Sequence, residues 1–167
     1  MKKLSCVFAL VLGLGALGAQ AQVPVTANPD QQSMLQSKDP AVAKNKKLVY
    51  DFWREVFEAG HIDLAEKYMA ETYIQHNPMV ATGRKPFIDF FSKIRKPVAI
   101  EAKVKAPLVA ILGDGDLVTM VFAREYPDPV DATKKYTTTW FDMFRIVDGK
   151  VAEHWDPATK TAPRPAQ

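Results

Sequence analysis

The sequence predicts an α+β domain in which a few amphipathic helices come first and an antiparallel meander follows, the helices packing on one face of a curved sheet. Two observations carry that prediction. Apolar residues recur with a period near 3.6 up to about residue 95 and with a period of 2 after it. The chain then closes on two apolar segments that meet at Asp148-Gly149, a hairpin signal.

The first 21 residues are read as a segment that does not fold with the rest. Lys2-Lys3 is a basic start, Cys6 to Ala16 an apolar run, and Ala19-Gln20-Ala21 a small-x-small cleavage site. That order describes a secretory signal peptide, too short and wrongly flanked for a transmembrane helix. Cys6 lies inside the apolar run, away from the cleavage point, which argues against a lipoprotein. Cleavage after Ala21 leaves 146 of the 167 residues, a one-domain length. The single cysteine leaves with the leader, so the mature chain holds itself by an ordinary core with no disulfide. Loss of Lys2 and Lys3 lowers the formal charge from +3 to +1, which leaves no electrostatic case for nucleic acid or for an anionic membrane. The expected location is periplasmic or secreted.

Residues 22–38 are polar and read as a flexible linker, and the domain proper is expected over 39–157. Asp39-Pro40 starts a helix, with Asp as N-cap and Pro at the first helical position. Leu48/Val49, Phe52/Trp53 and Val56/Phe57 make one apolar stripe as far as about Ala59, and Gly60 ends it. Asp63 with Glu66 resembles a capping box that opens a short helix through Met69. Tyr73 to Pro78 leads into a loop at Gly83. Pro86 opens a third helix with Phe87, Phe91 and Ile94 on one side, and Pro97 stops it. Ile100, Ala102 and Val104 alternate with charged residues and predict a strand that Pro107 breaks or bulges. Leu108–Leu112, Leu117–Tyr126, Tyr136–Val147 and Lys150–Asp156 are the further strands, and 158–167 is a loose tail. A bent sheet over a few helices leaves an apolar hollow suited to a small molecule.

Tyr73-Ile74-Gln75-His76-Asn77-Pro78, Gly115-Asp116-Leu117-Val118 and the closing run from Asp142-Met143-Phe144-Arg145 through Asp148-Gly149-Lys150-Val151 to Glu153-His154-Trp155-Asp156 resemble the SnoaL-like polyketide cyclase family, within the nuclear transport factor 2-like superfamily. The likeness spans about residues 45–157. It implies a cone-shaped α+β barrel, often dimeric through its sheet. It also implies an aldol-type ring closure without a cofactor, run by an acid/base carboxylate in the pocket.

Removing a proton beside a carbonyl needs a base near the substrate and a donor for the developing oxyanion. Asp156 matches the family's catalytic aspartate and ends a strand at the expected pocket mouth. Asp142 is the second candidate, and its face depends on register. With Asp148-Gly149 as a two-residue loop, Asp142 opposes Trp155 and lies away from Asp156. With a three-residue loop, Asp142 opposes His154 and shares a face with Asp156 and Trp140. The three-residue loop is favoured, because it gathers the buried polar groups. His76, in a loop beside the hollow, could donate to a carbonyl or position Asp156. Asn77, Trp53, Phe52, Trp140 and His154 are the expected substrate-binding residues. Arg145 reads as structural, and Arg124 as the better placed arginine for an anionic ligand. His76, His154 and Asp156 also make an iron-type triad on paper, although the resemblance argues for a metal-free site. A ketosteroid-isomerase-like or epoxide-hydrolase-like reaction would need more acidic or tyrosine donors than the sequence places. Two classes of function therefore stand side by side. A cyclase or isomerase acting on a small apolar carbonyl compound predicts a carboxylate facing open cavity volume. A non-catalytic module for a small hydrophobic ligand, or for dimerisation, predicts a pocket whose polar groups are all satisfied internally.

Overall fold

The computed structural model describes residues 22–160, so the leader and the end of the tail lie outside the described residues. Helix α1 (Pro40–Phe52) opens as expected, with the Asp39 carboxylate accepting from the Ala41 and Val42 amides. It runs on into a π-helical turn, Trp53–Glu58. The wider turn carries the apolar stripe round the end of α1, so that Phe52, Trp53 and Val56 are buried together. Gly60 ends the turn at φ +72°, where a Cβ would come within 2.7 Å of the Lys96 carbonyl oxygen. No capping box forms at Asp63. A short 3₁₀ turn (Ile62–Leu64) without side-chain caps leads into α2 (Ala65–Tyr68).

Strand β1 (Met69–Gln75) follows, an element absent from the sequence reading. Its mixed polar run pairs on one side only, so it lacks the clean alternation that would have announced it. Helix α3 (Arg84–Ile94) buries Phe87 and Phe91, but Ile94 is exposed. The predicted strand at Ile100–Val104 is irregular chain; only Val104 is buried, and Gln31 binds its amide and carbonyl in the way a neighbouring strand would. Tyr50 donates to the same Gln31 side chain at 2.6 Å. The 22–38 stretch, expected to be a linker, is thus laid along the body and inserts a buried glutamine.

The sheet is completed by β2 (Leu108–Asp114), β3 (Leu117–Pro127), β4 (Lys135–Val147) and β5 (Lys150–Trp155). Its order is β1-β5-β4-β3-β2, with β1 parallel to β5 and the other pairs antiparallel. It curves round the helices but does not close, so the architecture is an open α+β cone and not a sealed barrel. Phe52, Trp53, Phe122 and Phe144 pack between the layers, with Trp53 stacked on Phe122 at 4.7 Å and Phe52 edge-on to Phe144 at 6.0 Å.

The hairpin corrects the favoured register: the three-residue loop does not form, and the two-residue loop is joined by a bulge that was not expected. Val147 pairs with Lys150, so the turn has two residues, and both Asp148 (φ +50°) and Gly149 (φ +71°) are left-handed. Ile146 pairs with Val151, but Arg145 pairs with Glu153. Ala152 is therefore a β-bulge, and the extra residue shifts the ladder by one. The shift brings Asp142 onto the same buried face as His154, which is the clustering the three-residue loop was favoured for.

Candidate functional site

The curved sheet and the helices enclose a cavity of about 90 Å³. Six aromatic side chains form its apolar side together with Val80: Phe52, Trp53, Phe57, Phe87, Phe91 and Phe144. Trp53 and Phe57 come from the π-helical turn, Phe87 and Phe91 from successive turns of α3, and Phe144 from β4. The polar part of the wall is Tyr73, Gln75, Asn77, Asp142, His154 and Asp156. Among the described residues no lysine or arginine lines it.

These polar groups form one chain of hydrogen bonds. Gln75 Oε1 accepts the Asn77 backbone N–H at 3.0 Å, which identifies that atom as the oxygen of the amide. His154 Nδ1 lies 2.9 Å from the same oxygen and must therefore carry a proton. His154 Nε2 then faces Asp142 Oδ1 at 3.1 Å. Both atoms are acceptors in their unprotonated forms, so the contact is a hydrogen bond only when one proton is shared between them. The second carboxylate oxygen, Asp142 Oδ2, is buried with no partner, the one such side-chain atom among the described residues. An unsatisfied buried acceptor costs about 1–3 kcal/mol, more when charged.

Asp156 is held differently. Its Oδ2 accepts from Asn77 Nδ2 at 2.7 Å and its Oδ1 from the Ala158 amide at 2.9 Å. Tyr73, 2 % exposed, accepts from Gln75 Nε2 at 2.9 Å. Burial, with the charges of Asp156 and Asp142 adding to it, pushes the Tyr73 phenol far above its ordinary value. It therefore stays a neutral O–H donor.

The cavity brings together Asp142, His154, Asp156, Asn77, Phe52 and Trp53 of the residues expected from the sequence. It does not bring His76 or Trp140. The alternation that turns His154 inward turns Glu153 and Trp155 outward, and His76 goes with them. His76 Nε2 lies 2.7 Å from Glu153 Oε1, and its ring stacks on Trp155 at 5.0 Å. Trp140 packs beside the core under the Arg124 guanidinium, 3.9 Å from its ring centre, which also occupies the arginine expected to be free for an anion. Arg145 is structural, bound to Asp116 and Glu153.

With His76 on the outer face, the iron-type triad does not form. Asp142, His154 and Asp156 do present donor atoms within 4.8 Å of one another, but Asp142 and His154 are turned on each other as a proton-sharing pair. Sequence reasoning missed Tyr73 and Gln75 as site residues. The missing signal was β1 itself: once it is a strand, Tyr73 and Gln75 lie two apart on one face. Tyr73 also supplies the tyrosine donor that the sequence could not place.

A SnoaL-like domain model matches residues 49–154, and the chain belongs to that family. No curated protein matches it in sequence. Among solved structures, it is similar to an NTF2-like protein of unknown function from Mesorhizobium loti, at 18% identity and a TM-score of 0.50, covering 74% of this chain and 98% of the other. It is also similar to an LEH-like epoxide hydrolase of M. tuberculosis, at 11% identity and a TM-score of 0.50, covering 71% and 81%. A protein from Acidithiobacillus ferrooxidans proposed to be a polyketide cyclase is similar at 19% identity and a TM-score of 0.49, covering 72% and 89%. At these identities the two likenesses with a TM-score of 0.50 bear on the fold alone, which is NTF2-like.

Proposed function

We propose that this SnoaL-like domain is an acid–base enzyme that moves a proton on a small apolar carbonyl compound, as an isomerase or an aldol-type cyclase working without a cofactor. The observation that carries the reading is Asp142 Oδ2, a buried acceptor without a partner among the described residues, on the polar side of a cavity whose other side is aromatic.

In this reading the substrate's α-C–H lies against Asp142 Oδ2, which takes the proton. The electron pair moves onto the carbonyl oxygen, where the Tyr73 O–H donates to the developing enolate. His154, held by Gln75, keeps Asp142 Oδ1 hydrogen-bonded throughout and so aims Oδ2 at the cavity. Asp156, fixed by Asn77 and the Ala158 amide, is the second carboxylate at the cavity. The enolate then either takes the proton back from Asp142 at another carbon or attacks a second carbonyl, whose oxygen receives that proton. Aromatic walls exclude water, which strengthens each of these polar contacts. His76 has no part in the step. The proposal also keeps the mature chain outside the cytoplasm, periplasmic or secreted, as a homodimer. Among the described residues no helix is long and apolar enough to cross a membrane.

The test is deuterium uptake from solvent at the α-carbon of small ketones, followed by proton NMR. The wild type should accelerate exchange over buffer, and Asp142→Asn should lose it at least 100-fold while keeping its circular dichroism spectrum. No acceleration with any ketone that demonstrably binds would sink the reading. The rival, a non-catalytic module for a small hydrophobic ligand, draws support from Asp156, whose two oxygens are both satisfied inside the protein. It predicts binding with no exchange.

A further inference from the structure

We infer that the substrate of this cavity is a neutral ketone or aldehyde no larger than a single five- or six-membered ring, without a carboxylate, phosphate or carrier-linked chain. The inference rests on the proton-transfer reading and adds to it a size, a charge and an orientation.

Size follows from the volume. A sealed cavity of about 150 Å³ lined by apolar side chains takes up benzene; this one has about 90 Å³ and is partly open, so a single ring seats with one edge at the mouth. A fused multi-ring ketide is too large to be taken in whole unless α3 moves away from the sheet. Two of the blocking rings, Phe87 and Phe91, are buried on α3, 4.5 Å apart and braced by Phe52, Tyr73 and Phe57. Those contacts brace the wall on the α3 side against widening of the cavity.

Charge follows from the wall. Asp142 and Asp156 both face the cavity, their oxygens are close to His154, and no lysine or arginine accompanies them. Even with His154 protonated, two carboxylates outnumber one cation. An anionic substituent placed there meets uncompensated negative charge in a low-dielectric pocket, where repulsion is strong. Every other lining residue is apolar or an uncharged amide or phenol. Orientation follows from the donors. Tyr73 accepts from Gln75, and among the described residues no acceptor takes its own proton. A single carbonyl oxygen is the group that satisfies it, which puts the hydrocarbon part of the ligand against the phenylalanines.

The test uses the purified protein and three probes at pH 7: cyclopentanone, 3-oxocyclopentanecarboxylate and 2-indanone. Binding is read from the Trp53 indole signal in a proton–nitrogen NMR titration, and turnover from α-deuterium exchange on the same samples. Cyclopentanone should shift the Trp53 signal and exchange. The carboxylate should bind at least tenfold more weakly, and Asp156→Asn should narrow that gap. The bicyclic 2-indanone should also bind at least tenfold more weakly, and Phe91→Ala should admit it. Equal or tighter binding of either 3-oxocyclopentanecarboxylate or 2-indanone by the wild type would overturn the inference. The two readings fail separately. Selective binding of cyclopentanone without exchange removes the enzyme but keeps the size and charge rule. Exchange of the anionic or bicyclic ketone removes the rule but keeps the enzyme.

Discussion

The two faces of the β4–β5 hairpin carry similar residue types and use them in opposite ways. The outer face holds Arg145, Glu153, His76, Trp155 and Asp116. There Arg145 reaches both Glu153 and Asp116, Glu153 also holds His76, and the imidazole lies flat on Trp155. The inner face holds Asp142, His154 and Asp156, and leaves one carboxylate oxygen with nothing to bind. The outer set is a closed ion-pair network beside solvent, where each pair is worth little. The inner set is desolvated and incomplete, where each missing contact is expensive. An acid, a base and an aromatic therefore do not define a site by type; burial and an unfilled valence do.

The largest expected effect lies on the inner face. Asp142→Asn keeps a hydrogen-bonding group at that position but removes the proton acceptor, and exchange activity should fall by about 10²–10⁴-fold. A variant that retained most of its activity would shift the base to Asp156. Tyr73→Phe comes next. It deletes the donor to the oxyanion and should cost about 10²-fold in kcat, with a smaller effect on binding. The same residue gives an alkaline signature. Its folded pKa is raised by burial, so the unfolded phenol ionises first, above its ordinary value of about 10. Stability should fall from there as pH rises toward the folded value, and Tyr73→Phe should flatten that limb in urea titrations.

Gln75→Leu tests the relay without touching the base. His154 loses the acceptor that keeps its proton on Nδ1, so its ¹⁵N shifts should show a change of tautomer, and activity should drop about tenfold. Unchanged ¹⁵N shifts would mean that Asp142 alone orders the ring. The smallest effect belongs to the outer face. Hydrogen bonding to His76, and less strongly to Arg145, holds the Glu153 carboxyl below its ordinary value against an opposing effect of burial that ranks between the two. Its stabilisation is thus present above about pH 4.3 and is lost as pH falls through the lower folded value. Glu153→Gln should flatten this acid limb, cost below about 1 kcal/mol at pH 7, and leave deuterium exchange as it was. Loss of exchange in Glu153→Gln would show that the two faces are coupled through β5.

Much of this could be read before folding, and what could not has identifiable causes. Asp39-Pro40 starts α1, Gly60 ends it, and Asp148-Gly149 turns the hairpin because their local chemistry suffices. Local pattern misled at Ile100–Val104, where alternating residues have no strand beside them and pack instead against Gln31. It was silent at β1, whose pairing partner lies about 80 residues away on β5. Asp142, His154, Asp156 and Asn77 were legible as candidates because polar groups stood inside apolar strands or beside them. His76 was equally conspicuous and lies on the other face.

The amino-acid sequence by itself determined the class of fold, the order of the helices and of the last four strands, the family and many of the residues that could do chemistry, because each depends on local periodicity or on motifs. Tertiary structure alone decided which of those residues meet. A bulge at Ala152 sets the face of Asp142 relative to His154, β1 delivers Tyr73 and Gln75, and the α3 phenylalanines set the size of the cavity. The physical reason is that register and burial are properties of paired strands and packed layers. One residue of slip inverts a face, and no local preference along the chain encodes it.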